Sequence, residues 1–290
     1  MTGPGAGAGR TPLGSLLNLD TAQVSLGRFQ LELDETWTVM HVHGGVLVAL
    51  AARMAEHGRA DDTMCVTGVS ATFLRPVAAG PVEGVVTWLR AGRRAAQASV
   101  DLVGPDGELA VRVAVVLASL RGDDAGAVAR ASPAGALDVD GSIGLGPVVA
   151  ESADLMPFQQ QHTWRLATPG QLRQRSAEGP RRSFDSWFRL HETPRTADGR
   201  VEPLVACLAA DAIGLAATES LGLWKSDRRF VLPTLSMDVQ IIGCPVSSWL
   251  LQHAEIHHLG HGMVLGTVHL FDEDGRLVAH ASQRATVRFY

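Results

Sequence analysis

The sequence predicts an α+β fold made twice: two copies of a long apolar helix followed by an antiparallel meander. Three observations predict it. Landmarks recur at one separation, with Gly107 and Gly275, His43 and Asp211, and Val115 and Gln283 each 168 positions apart in the 290-residue chain. A period that long marks a duplicated domain, not a solenoid. Each copy also carries an Ala-rich apolar run of helical length, His41 to Gly58 and Leu204 to Leu221, the second followed by Gly222. Around these runs lie alternating segments separated by turn sequences such as Gly104-Pro105-Asp106-Gly107 and Asp272-Glu273-Asp274-Gly275.

In chain order, residues 1–12 are rich in Gly, Ala and Pro and are expected to be disordered. Leu13 to Leu19 suits a short amphipathic helix and Phe29 to Leu33 a short strand. The helix over 41–58 is apolar nearly all round at its start, so something must wrap it; a curved sheet is the economical solution. Strands are expected over Cys65–Leu74, Glu83–Arg90, Ala95–Val103 and Leu109–Leu120. Residues 121–150 lack clear periodicity and read as a connection, which divides the chain into a unit over 13–120 and a second over 151–290. The second copy has strands over Phe184–His191, Phe230–Ile242, Trp249–His258, Met263–Phe271 and Leu277–Phe289, with its helix over 204–221. Pro76 and Pro245 are 169 apart, a one-residue slip within Ile242-Gly243-Cys244.

Composition excludes several classes. The chain is 46% hydrophobic and 19% charged with a net charge of −5, so nothing favours nucleic acid or an anionic membrane as partner. Cys65, Cys207 and Cys244 lack CxxC spacing, which argues for a reducing compartment. No leader peptide or membrane span is read, and a cytoplasmic protein is the expectation.

The last strand holds the most informative residue. Its face of Leu277, Ala279, Ala281, Gln283, Ala285, Val287 and Phe289 is apolar except for Gln283, and a buried amide without partners costs about 1–3 kcal/mol. The same position in the first copy is Val115.

Five stretches, in order and at the right spacing, carry a resemblance: Leu16-Leu17-Asn18-Leu19, His43-Gly44-Gly45, Phe73-Leu74-Arg75-Pro76, Ala210-Asp211, and Pro233-Thr234-Leu235 with Ser282-Gln283. Over residues 13–290 the chain resembles acyl-CoA thioesterase II, the TesB-like branch of the hotdog thioesterases. The resemblance implies a tandem double hotdog, acting on acyl-CoA or acyl-carrier-protein thioesters, without metal or redox cofactor. It also implies a homodimer or higher homo-oligomer. Asp211, Thr234 and Gln283 match the residues that hold a water against the thioester carbonyl in that family. Beside this, the residues speak for themselves: their counterparts in the first copy are His43, Val66 and Val115, an asymmetry that a duplicated core does not need. Thioester hydrolysis needs an attacking water, a base and donors for an oxyanion. Asp211 is expected to open the second helix, where unpaired N–H groups favour its carboxylate. Gly44 and Gly45, with His43, are the candidates for oxyanion and substrate binding, because glycine lets a ligand approach the backbone.

Taken singly, Asp211 could be an N-cap, Thr234 an ordinary strand residue and Gln283 a backbone partner. His41 and His43 would face one way on a strand, but a helix begins there, and the tract His253, His257, His258 and His261 sends His253 and His257 to one side and His258 to the other, so no metal is read. Cys207 is read as a packed core residue. Arg75, Arg90, Arg93, Arg94, Arg228 and Arg229 could meet coenzyme A phosphates, but for any single arginine ordinary solvated surface charge is the better reading. Two stretches depart from the family pattern: Ile242-Gly243-Cys244-Pro245 and Gly260-His261-Gly262. The alternatives to hydrolysis are an enoyl-thioester hydratase or dehydratase, with His43 and Asp211 as acid and base, and a non-catalytic acyl-CoA-binding module.

Overall fold

The computed structural model describes residues 12–59, 64–119, 143–144, 156–166, 183–196, 199–223 and 230–289. The expected disorder of residues 1–11 and nearly all of the expected connection lie outside them, as do Arg228 and Arg229.

Helix α1 spans Pro12–Leu16, with Pro12 at its first position rather than in a disordered tail. Proline fits there because its fixed φ suits the first turn and its missing N–H would have no partner anyway. Strands β1 (Gln23–Ser25) and β2 (Arg28–Leu33) form a hairpin. Helix α2 runs from Gly44 to Arg59, about 24 Å long. Residues Gly45 to Ala52, Met54 and Ala55 are all buried, as expected for a helix wrapped on most sides. Strands β3 (Cys65–Phe73), β4 (Gly80–Ala91), β5 (Ala95–Val103) and β6 (Leu109–Ala118) complete the first half.

In the second half β7 (Ile143–Gly144) pairs with β8 (His162–Leu166), and β8 with β9 (Ser183–Leu190). Strand β7 lies inside the stretch read as connection, and β8 has no counterpart in the expected elements. Its five residues are too short to show a period. Helices α3 (Val205–Ala210) and α4 (Ile213–Ser220) follow. Strands β10 (Phe230–Val231), β11 (Thr234–Ile241), β12 (Leu250–Gly260), β13 (Met263–Phe271), β14 (Leu277–Thr286) and β15 (Arg288–Phe289) end the chain.

Among the described residues thirteen strands form one antiparallel sheet, in the order β1-β2-β4-β5-β6-β3-β11-β14-β13-β12-β9-β8-β7. The halves therefore join edge to edge through β3 and β11. At the centre of that pairing Asp238 faces Ser70, its own counterpart 168 positions earlier, so the pseudo-twofold axis passes through this pair. The duplication extends to details. Leu74 N and Arg75 N both donate to Ala110 O, and their counterparts Ile242 N and Gly243 N both donate to Val278 O. The changed residues at 242–244 thus keep the backbone of the first copy. The other departure has a local cause as well. His261 (φ 53°) and Gly262 (φ 72°) are the two central residues of the β12–β13 hairpin, and two positive φ values in succession are what a type I′ turn requires.

One helix is expected over 204–221, opened by Asp211; the structure breaks it there instead. Asp211 has φ −79° and ψ 57°, and Ala212 N donates to Ala210 O at 2.9 Å, which is an inverse γ-turn. Asp211 therefore ends α3 and precedes α4. The stretch of the first copy equivalent to α3 is a loop closed by the Thr38–Val42 bridge, so the two copies diverge just before the helix they share. Helix α3 packs on α2 so closely that a Cβ at Gly45 would lie 2.4 Å from Cys207 O. The two helices form a common core beneath the sheet, and a buried ion network of Arg53 with Glu56 and Glu202 (Arg53–Glu202 2.6 Å) ties the halves together.

Candidate active site

Four elements bring the site together. Strand β14 alternates so that Ala279, Ala281, Gln283 and Ala285 face the helices and are buried. Gln283 is 2% exposed, and both ends of its amide have a partner. Its Oε1 accepts from Ile213 N at 3.1 Å, the first N–H of α4, freed by the chain break. Its Nε2 donates to Asp211 Oδ1 at 2.7 Å and lies 3.4 Å from Met237 Sδ. The Ile213 N–H thus settles which end of the amide is which.

Asp211 sits where both halves meet. Besides Gln283, Oδ1 accepts from Thr234 Oγ1 at 3.4 Å, and Oδ2 accepts from Gly45 N at 3.2 Å. Thr234 begins β11, where a bulge between Thr234 and Ser236 shifts the register against β14; such irregularities re-aim side chains. The expected link between Asp211 and a helix N-terminus is present, but the helix is α2 of the first copy, whose positive end meets the carboxylate. Gly44 and Gly45 are also needed as glycines. A Cβ at Gly44 would fall 2.8 Å from Asp211 Oδ2, and one at Gly45 would strike the α3 backbone.

His43 precedes α2, and its carbonyl accepts from Val46 N and Leu47 N. Its Nε2 is 3.5 Å from Asp211 Oδ2; the two side chains are 11% and 12% exposed. Equivalent positions of the two copies thus touch each other. The imidazole stacks on Phe158, with centroids 4.0 Å apart. Burial pushes the His43 pKa below its ordinary value, while the Asp211 carboxylate and backbone carbonyl work the other way. Behind Phe158, at 4.6 Å, stands His162, buried among Phe158, Trp164 and Phe188. Burial first, then the nearby His43, depress its pKa to about 3.

All six sequence-derived site residues, Asp211, Thr234, Gln283, His43, Gly44 and Gly45, therefore converge. Phe158 and His162 were missed, because the 3-10 turn Pro157–Gln161 and the five-residue β8 carry little periodic signal. Pro157 was the only local hint of that turn. The other candidates lie elsewhere. His253 pairs with Asp185 at 2.6 Å, His257 with Thr267 at 2.9 Å, and His258 stacks on His261. Arg75 pairs with Glu108 at the surface. Cys207 is fully buried in α3, and burial pushes its thiol up to about 12, so it packs rather than reacts.

Two family profiles match the chain. Residues 33–121 match the acyl-CoA thioesterase N-terminal domain and residues 142–287 match the acyl-CoA thioesterase C-terminal domain. The chain belongs to the acyl-CoA thioesterase family. Its fold is the tandem double hotdog. A provisionally assigned thioesterase from Novosphingobium aromaticivorans has a TM-score of 0.73 at 21% identity, covering 91% of this chain and 96% of its own. A provisionally assigned thioesterase II from Thermobifida fusca has 0.73 at 21% identity, covering 97% and 99%. Acyl-CoA thioesterase II from Mycobacterium marinum has 0.69 at 17% identity, covering 96% and 98%. At these identities the likeness speaks for the fold. A search of curated proteins found no match. Among the described residues no helix of this thioesterase is long and apolar enough to cross a membrane.

Proposed function

We propose that the thioesterase hydrolyses acyl-CoA or acyl-carrier-protein thioesters by water attack at the cluster of Asp211, Thr234 and Gln283. The observation that supports this most is the asymmetry between the copies. Three polar side chains of the second half converge at the N-terminus of the first-half helix, where the first copy has Val66 and Val115. Asp211 is the anion that drives removal of the water's proton. Thr234 and Gln283 hold that anion and orient the water. Gly45 N–H already serves Asp211, so the oxyanion donor in this reading is Gly44 N–H. The reaction needs no metal or redox cofactor. The enzyme works in the cytoplasm as a homodimer or higher homo-oligomer.

A thiol-release assay over a panel of acyl-CoAs tests the reading. Asp211→Asn is expected to lower kcat by about 100-fold or more. Turnover that survives both Asp211→Ala and Gln283→Ala would overturn it. The 3.5 Å approach of His43 to Asp211 keeps one rival in view, an acid–base pair adding water to an enoyl thioester. That rival predicts a change at the enoyl absorbance band with no thiol release. Saturable acyl-CoA binding with neither signal would identify a binding module.

A further inference from the structure

The break between α3 and α4 takes away one helical hydrogen bond, from Ile213 N to Ala209 O, and two glutamines take up its two ends. Gln283 accepts from the N–H at 3.1 Å. Gln252 serves the carbonyl: its Nε2 donates to Ala209 O at 2.6 Å. A carbonyl only accepts, so the amide must turn its NH2 to it, and the Gln252 Oε1 in turn accepts from Ser186 Oγ at 2.9 Å. Gln252 on β12 and Ser186 on β9 are register partners, 2% and 1% exposed. Polar groups so deeply buried are costly unless they are paired, and these are paired to the broken helix.

The first copy again supplies the control. Gln252 corresponds to Gly84, 168 positions earlier. Gly84 is the register partner of Phe29, so Phe29 and Gly84 stand where Ser186 and Gln252 stand in the second copy. That place is apolar. Phe29 is buried, and Met54 of α2 fills the space above Gly84, where a Cβ would lie 2.3 Å from its Sδ. The fold therefore packs this position without hydrogen bonds beneath the unbroken α2. The polar version accompanies the break.

Resting on the hydrolytic reading above, we propose that Gln252, braced by Ser186, is a positioning residue for Asp211. Asp211 lies two residues after Ala209, in the turn closed by Ala212 N on Ala210 O. Gln283 fixes the α4 end of that turn and Gln252 fixes the α3 end. Local propensity favours one continuous helix here. Without the Gln252 amide the Ala209 carbonyl is left to recover its helical partner, Ile213 N. That movement draws the Asp211 carboxylate away from Thr234 Oγ1 and Gly45 N, which it meets at 3.4 Å and 3.2 Å. Gln252 itself meets neither water nor thioester in this assignment and acts through Asp211.

The test is Gln252→Met, which keeps the length and, like Met54 in the first copy, fills space without donating a hydrogen bond. Thiol release from the acyl-CoA that the wild type turns over fastest should fall about 10-fold or more in kcat, with KM within about twofold, because a carboxylate misplaced by about 1 Å slows the chemical step rather than binding. In an Asp211→Asn background the same substitution should lower kcat by less than about twofold, since no carboxylate is left to position. A lower Tm with kcat unchanged, while Asp211→Asn is inactive, would reduce Gln252 to a packing residue and overturn the proposal. So would a full additional loss in the Asp211→Asn background. Wild-type turnover in Asp211→Asn would instead overturn the hydrolytic reading itself. Should Gln252→Met not fold, Ser186→Ala decides. It leaves the Gln252 amide unbraced, and kcat should fall about threefold or more at unchanged KM; an unchanged kcat would refute the proposal.

Discussion

Replacing Gln283 by glutamate isolates what its amide does. The shape is kept, and one oxygen still accepts from Ile213 N. The atom facing Asp211 Oδ1 across 2.7 Å, however, changes from donor to acceptor. A buried carboxylate and the part-buried one of Asp211 then face each other. With charge centres about 4 Å apart and an effective dielectric near 20, the repulsion is about 4 kcal/mol. That corresponds to about three pKa units, and one proton becomes shared by the pair. The new carboxyl therefore titrates in the folded state well above the ordinary glutamate value of about 4.3. A raised folded pKa means that the folded state holds the proton more tightly than the unfolded chain. Stability relative to wild type is then retained below about pH 4 and lost as pH rises, by about 4 kcal/mol on reaching about pH 7. Urea unfolding of both proteins across this range reads the difference directly. Thiol release should fall about 100-fold or more at neutral pH, because the pair no longer presents Asp211 as wild type does. A stability difference independent of pH, or wild-type turnover at neutral pH, would refute the assigned contact.

Two other expectations follow from the packing. His162 is held neutral, with its pKa depressed to about 3 against an ordinary value of 6.5. Its contribution is present above pH 6.5 and is lost as pH falls, by about 2 kcal/mol at pH 5. His162→Phe, which suits the ring cluster around it, should reduce the stability lost between pH 7 and pH 5 by that amount in urea melts. Gly45→Ala would set a Cβ 2.4 Å from Cys207 O and 2.8 Å from Leu208 Cα, both backbone atoms that cannot swing aside. It should cost about 3 kcal/mol or more, or a Tm lower by roughly 6 °C. Gly44→Ala meets the Asp211 carboxylate and the Phe73 ring instead, so its activity should fall more than its Tm.

Much of the site was legible because duplication supplies an internal control. Gln283 against Val115 and Thr234 against Val66 mark positions where polarity is kept in one copy alone. The break at Asp211-Ala212 was not legible. Val205 to Ser220 contains no proline, and its one glycine, Gly214, lies inside α4, so local propensity favours one helix. The turn exists because tertiary partners take up the groups it releases: Gln283 receives the Ile213 N–H, and α2 receives the carboxylate. The cost of Gln283→Val was hidden for the same reason. The valine is harmless at 115, but at 283 it would leave a buried N–H and one side of Asp211 unmatched, roughly 1–3 kcal/mol for each lost partner.

By itself the sequence determined the duplication, the central helix and the four-strand meander of each copy, and which copy carries the polar residues. Those follow from period, alternation and turn chemistry, which are local or self-similar signals. The tertiary structure alone decided that β3 and β11 join the halves at Ser70 and Asp238, and that equivalent residues His43 and Asp211 therefore meet at 3.5 Å. It also decided that the helix end stabilising Asp211 belongs to the other copy. Each is a contact between residues more than 160 positions apart, specified by how two apolar helices and one sheet share a core.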